Sequence, residues 1–227
     1  MISPLRLVIF DVDGTLVDSQ GDIVAAMAAA FAAVNAPLPA RAQLLSIVGL
    51  SLDVAMPVLA PDLSAGDHAT MVAAYKDAYM TLRAEVGVAQ SSPLYPGALA
   101  TLRQLHAIPD VLLGIATGKS KRGLDKLIEG HGLHGLFVTQ QVADFHPSKP
   151  HPSMIFQAMA DAGVSAENTV MVGDTSFDMD MAAAAGVRGI GVNWGYHTPD
   201  RLQNAAQIID SYADLPLLLD AFWSLPA

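Results

Sequence analysis

Residues 5–20 read LRLVIFDVDGTLVDSQ, an apolar run that ends in three aspartates, Asp11, Asp13 and Asp18. Leu5–Phe10 has the length and β-branched content of a strand buried on both faces. Acids packed so closely at its end repel one another, and burial adds to the cost. Either the cluster is solvated, or a cation belongs beside it.

Three further runs have the same strand character: Val111–Ala116, Thr169–Gly173 and Val187–Val192, with weaker candidates at Leu136–Thr139 and Gln207–Ile209. Helical patterns alternate with them from residue 97 onward. In Pro152–Ala162, Met154, Ile155, Ala158, Met159 and Ala162 share one helix face. This alternation predicts an α/β fold, a doubly wound parallel sheet. Residues 18–92 break the rhythm with helical patterns at Gly21–Asn35, Arg41–Val48, Leu52–Leu59 and Ser64–Val86, punctuated by Pro37, Pro39, Pro57 and Pro61. The first strand is thus separated from the others by a helical insertion.

Composition narrows the function. The chain has 227 residues, 52% hydrophobic and 15% charged, enough for a large core and unlike a disordered chain. A net charge of −10 argues against nucleic acid and against an anionic membrane surface as partners. It leaves room for a small phosphorylated substrate met by local cations. With no cysteine, thiolate catalysis, disulfides and cysteine-bound metals are excluded. His68, His106, His131, His134 and His197 lack metal-ligand spacing and are expected at the surface. No stretch reads as a signal peptide or membrane span, so a cytoplasmic protein is expected.

Three strands end alike: Leu5–Phe10 delivers Asp11, Val111–Ala116 delivers Thr117, and Thr169–Gly173 delivers Asp174. Ligands of open parallel sheets bind outside the carboxyl ends of the strands, so two carboxylates and a hydroxyl converge there. A single acid after a strand is ordinarily a helix cap. Three such ends, with a second acid at Asp13 pointing to the same side as Asp11, are not explained by capping.

Asp11-Val12-Asp13-Gly14-Thr15 resembles the nucleophile motif of the haloacid dehalogenase (HAD) superfamily. Ile115–Gly118 is similar to its threonine motif, Lys149-Pro150 to its lysine motif, and GDTSFDMDMA (173–182) to its closing acidic motif. The details DVDGTLVDS, PSKPHP and GVNWGYH are most similar to the phosphoglycolate phosphatase-like branch. The resemblance implies a Rossmann-like core over residues 1–17 and 93–227, with a small helical cap over 18–92. It implies a phosphatase acting on a small phosphorylated metabolite through an aspartyl phosphate on Asp11. Asp13 then serves as general acid and base. Thr117, the Gly118 region and Lys149 hold the phosphoryl group. Mg²⁺ would be held by the side chains of Asp11 and Asp174 and the backbone carbonyl of Asp13, with Asp178 ligating directly or through water. Monomer and homodimer are both compatible.

The remaining residues carry plainer expectations. Gly14 permits the chain reversal and Thr15 holds that turn by hydrogen bonding. Lys119, Lys121 and Arg122 read as a solvated helix face, and Asp180 as a solvated or capping acid. Asp18 caps the first helix of the insertion. His146 and His151 flank Lys149 in peripheral roles, and Trp194 and Tyr196 pack under a loop near the site. Arg41, Lys76 and Arg83, the basic residues of the insertion, are expected to be exposed. The turn VGLSL (48–52) is the part of the insertion expected to face the site. A β-phosphoglucomutase-like isomerase and a nucleotide or pyrophosphate hydrolase share these motifs. A dehalogenase would need neither Asp13 nor a metal. A receiver-like signalling module would be about half as long and would lack the insertion.

Overall fold

A computed structural model describes residues 4–224. Six parallel strands form one sheet in the order β3-β2-β1-β4-β5-β6. They are β1 (Arg6–Phe10), β2 (Val111–Thr117), β3 (Thr139–Val142), β4 (Thr169–Gly173), β5 (Arg188–Val192) and β6 (Gln207–Ile209). The strand at Leu136–Thr139 was misplaced by about three residues. The exposed Val138 precedes it, and the buried positions are Thr139, Gln141 and Val142. Polar side chains hid this strand, because Thr139 and Gln141 bond to Asp161 instead of presenting an apolar run.

The period of two along each strand sends alternate side chains to opposite layers. Val8, Phe10, Leu113, Ile115, Val170 and Val172 face α6 (Ala98–His106), α7 (Lys121–His131) and α10 (Leu215–Ser224). Leu7, Ile9 and Met171 face α8 (Ser153–Ala162) and α9 (Ser176–Ala185). Burying each of these aliphatic or aromatic side chains contributes about 1.5–3 kcal/mol. The order reverses at β1, which lies between β2 and β4, and such a switch point opens a crevice beyond the strand ends.

Between β1 and β2 run α1 (Gln20–Ala33), α2 (Arg41–Leu45), α3 (Leu52–Leu59), α4 (Ala65–Val86) and a short α5 (Val88–Ser91). The first four enclose a separate core that includes Ile23, Met27, Phe31, Leu44, Ile47, Met56 and Met71. Helix α2 stops at Leu45, three residues short of the expected Val48, where the chain turns towards the sheet. Helix α3 spans Leu52–Leu59 as expected, with Pro57 inside it two residues before its end. Asp18, expected to cap α1, is not at the cap position: Ser19 is, and its side chain makes no capping bond, while Asp18 one residue earlier accepts from Gln20 N (3.2 Å) as an Asx turn does. Among the described residues no helix is long and apolar enough to cross a membrane.

Candidate active site

Asp11, Thr117 and Asp174 follow or end β1, β2 and β4, the three adjacent central strands. Asp11 still pairs through its backbone, donating to Val172 O at 2.9 Å, so it leaves the sheet in register with β4. Gly14 then reverses the chain at φ +88°, and Asp174 passes so close that a Cβ on residue 14 would lie 2.2 Å from its Oδ2. Glycine is required here on both counts.

Four charged groups meet in the buried interior of the site. Lys149 Nζ donates to Asp11 Oδ1 and Asp178 Oδ1, each at 2.6 Å, and all three side chains are almost wholly buried. Oxygens of Asp11, Asp174 and Asp178 lie within 4.8 Å of one another. Asp174 accepts from Thr15 Oγ1 (3.0 Å) and from Tyr196 N (2.8 Å). Asp178 Oδ2 accepts from Thr175 N and Oγ1, closing a capping box at the start of α9. Asp11 Oδ2, also buried, has no hydrogen-bond partner.

Fully ionised, three carboxylates against one ammonium would leave two negative charges without a counter-charge. Burial, only partly offset by Lys149 and reinforced by Asp178, pushes the Asp11 carboxyl up to about 7. Burial and the neighbouring Asp11 and Asp178 likewise push Asp174 well above the usual carboxylate range. Burial works against the charged form of Lys149, but Asp11 and Asp178 overcome it and raise its affinity for the proton. The hard oxygen donors, the charge imbalance and the orphaned Asp11 Oδ2 fit a divalent cation such as Mg²⁺.

Asp13 stands outside this group. Both its carboxylate oxygens accept from Lys119 Nζ at 2.6 Å, and Ser19 Oγ donates to Oδ1. Burial alone would raise its pKa, yet Lys119 and Ser19 hold it below the usual range. Lys119 is therefore not on a solvated helix face. Helix α7 begins only at Lys121, so Lys119 belongs to the loop after β2, and its side chain is 9% exposed. Arg83 is likewise buried. It donates to Ser92 Oγ (3.0 Å) and Tyr79 OH (3.1 Å) and faces Asp22 at 3.7 Å. Arg41 and Lys76 are exposed as expected.

Other expected residues are distributed as follows. Thr117 Oγ1 accepts from Lys119 N (3.2 Å), and Gly118 lies in the loop ahead of α7. Thr15 does not brace its own turn, which Gly14 N→Val17 O and Leu16 N→Val12 O close instead. Its hydroxyl reaches Asp174, 159 residues away. His197, expected at the surface, is buried and links Ser176 of α9 to Ser46 O of the insertion. His146 bonds Gln141 and Ser153, whereas His151 is exposed. Trp194 donates to Thr15 O and packs on Tyr95 and Tyr212. Asp180 accepts from Asn204, away from the site. The turn 48–52 lines the cavity over Asp11 and Asp13.

Sequence reasoning did not single out Tyr79 and reads Arg83 and Lys119 as exposed, and one signal bears on this group. Tyr79 and Arg83 are four apart on one long helix and so share a face. Nothing in the chain order marks that face as turned towards the loop after β2.

Residues 8–192 match the Haloacid dehalogenase-like hydrolase family. The chain is 36% identical over 214 residues to the "Probable phosphatase IndB" of Dickeya dadantii, covering 92% of this chain and 91% of that one. It is 30% identical to a phosphoglycolate phosphatase of Vibrio cholerae, covering 88% and 90%. A crystal structure of a predicted phosphoglycolate phosphatase from Haemophilus somnus superposes with a TM-score of 0.83, covering 96% and 99%. At 24% identity that likeness speaks for the fold alone.

Proposed function

The chain belongs to the haloacid dehalogenase-like hydrolase family, and from that premise we propose that it is a Mg²⁺-dependent phosphatase of a small phosphorylated metabolite, working through Asp11. The observation that carries this reading is Asp11 Oδ2, a buried carboxylate oxygen without a partner beside a fixed ammonium and two further acids. Such an atom is free to form a bond, and no structural role explains why it is left unbonded.

Asp11, Asp174 and Asp178 would hold the ion. When bound, Mg²⁺ would supply the positive charge that balances these acids and the phosphoryl oxygens. The protein's own groups then divide the work. One carboxylate oxygen of Asp11 attacks phosphorus while the bond from phosphorus to the ester oxygen breaks. The leaving oxygen takes a proton from the Asp13–Lys119 pair, in which Lys119 keeps a proton 2.6 Å from both Asp13 oxygens. Water then attacks the aspartyl phosphate and gives its proton to Asp13. The Asp11–phosphorus bond breaks, releasing inorganic phosphate and restoring the carboxylate. Lys149, locked by two acids, and the Thr117 hydroxyl face the equatorial oxygens with little reorganisation.

The relatives' names make 2-phosphoglycolate a natural first substrate to assay. Purified protein is expected to release phosphate from 4-nitrophenyl phosphate with Mg²⁺, to stop on EDTA addition and to restart on Mg²⁺ replacement. Asp11→Asn is expected to lose about 10⁴-fold or more in kcat. Turnover by that variant near the wild-type rate overturns the reading.

A further inference from the structure

We propose that the substrate's leaving group carries an aromatic or heteroaromatic ring, of benzyl to nucleoside size, held against the Tyr75–Tyr79 stack. The proposal rests on the phosphatase reading above and goes beyond it by naming what the phosphate is attached to.

A cavity of about 970 Å³ extends from Asp11 and Asp13 into the insertion. That is the upper end of the range for small-molecule sites. It is not a gap left by an insertion standing away from the sheet, because the two touch on both sides. On one side Ser51 N donates to Ser148 Oγ (2.9 Å) and His197 Nε2 to Ser46 O (3.0 Å). There Gly118 passes so close to the turn that a Cβ on it would lie 2.6 Å from Gly49 O. On the other side Arg83 donates to Gly123 O (3.4 Å) and Lys119 to Tyr79 OH (3.2 Å). The volume persists with the insertion docked.

The walls then decide what fills it. Away from the acids the cavity is lined by Ile23, Met27 and Ile47 and by Tyr75 and Tyr79. The two tyrosine rings stack at 5.7 Å with 23° between their planes. Tyr79 is committed, with the Arg83 guanidinium 4.6 Å and the Lys119 ammonium 5.1 Å from its ring centre. Those contacts set its plane, and Tyr75 continues the stack towards the apolar wall. A two-carbon leaving group has no ring face to add to this stack. Ile23, Met27 and Ile47 are themselves nearly buried and back the two tyrosines, so the gain of a ring comes from extending the stack, which is binding energy remote from the reacting phosphorus. Lys76, Arg122 and Lys126 stand exposed around the same cavity and draw in a phosphate dianion despite a net charge of −10.

The test compares kcat/KM, with Mg²⁺, for four esters of primary alcohols: a nucleoside 5′-monophosphate, benzyl phosphate, hexyl phosphate and 2-phosphoglycolate. At least one ring-bearing ester is expected to exceed both ring-free ones by about tenfold or more, as stacking on an aromatic side chain supplies. Tyr75→Leu is expected to raise KM for the ring-bearing ester and shrink its advantage over 2-phosphoglycolate by a similar factor. A general loss of packing would lower every ester in proportion and keep the ratio. Equal or better turnover of 2-phosphoglycolate or hexyl phosphate, or a ratio untouched by Tyr75→Leu, overturns this proposal alone. Phosphate release from none of the four overturns the phosphatase reading and the proposal with it.

Discussion

Asp11 and Asp13 are two residues apart, yet their carboxylates live in opposite electrostatic surroundings. Around Asp11 every partner comes from the sheet and the segments beside it, and the acids outnumber the cations. Its affinity for a proton is raised to about 7 by burial, with Asp178 opposing the relief that Lys149 brings. Around Asp13 the balance is reversed, and Lys119 with Ser19 holds the carboxyl low against the effect of burial. Two of the contributors there belong to the insertion: Ser19 at its entrance and Tyr79, which meets the Lys119 ammonium. The first corner is built by the sheet and, on the function proposed above, would hold a cation and a phosphoryl group. The second is built where insertion and sheet touch, and on the same proposal would face the leaving group.

The difference can be broken most severely at Lys149. Lys149→Met leaves buried carboxylates without a counter-charge, and urea denaturation without Mg²⁺ is expected to show a loss of about 3–5 kcal/mol, together with loss of phosphate release. An unchanged denaturation midpoint would mean the loss of the counter-charge is not felt. Asp13→Asn should lower kcat by about 10²–10⁴-fold and also lower the denaturation midpoint, because it removes the counter-charge of the nearly buried Lys119 and the ionised carboxylate that Lys119 and Ser19 favour. Unchanged turnover in that variant would remove Asp13 from the chemistry. Mg²⁺ at a hundred times its dissociation constant should stabilise the wild-type protein by about 2.7 kcal/mol, read as a rise in Tm. That rise should vanish in Asp174→Asn and survive in Asp13→Asn, and the opposite pattern would relocate the ion. The mildest change is Ser148→Ala, which removes the acceptor for Ser51 N across the docked insertion. It should cost about 1 kcal/mol, seen as faster amide exchange at Ser51 with the sheet unaffected.

Much of the sheet corner was legible along the chain. Leu5–Phe10, Val111–Ala116 and Thr169–Gly173 read as buried strands, and each ends within a residue of the structural strand. Because parallel strands present their carboxyl ends on one side, Asp11, Thr117 and Asp174 converge by topology alone. Gly14 was also readable as a turn, although the close passage of Asp174 over it was not. The insertion corner was far less legible. Arg83 and Lys119 were read as exposed because long charged side chains ordinarily are, and their burial depends on partners 4 to 106 residues away. Thr15 and His197 were misread for the same reason, since their hydrogen bonds run to Asp174 and to Ser46.

The sequence by itself determined the layers, the order of catalytic-type residues at the strand ends and the family, because periodicity and strand-end position are local properties. Only the tertiary structure decided which carboxylate keeps an unbonded oxygen, which lysine meets which acid, and how much space remains once the helices dock. Those are properties of distance and burial. Charges interact over a few ångströms of low-dielectric interior, and the chain order of Asp11, Asp13, Lys119 and Lys149 does not say which pairs share that interior.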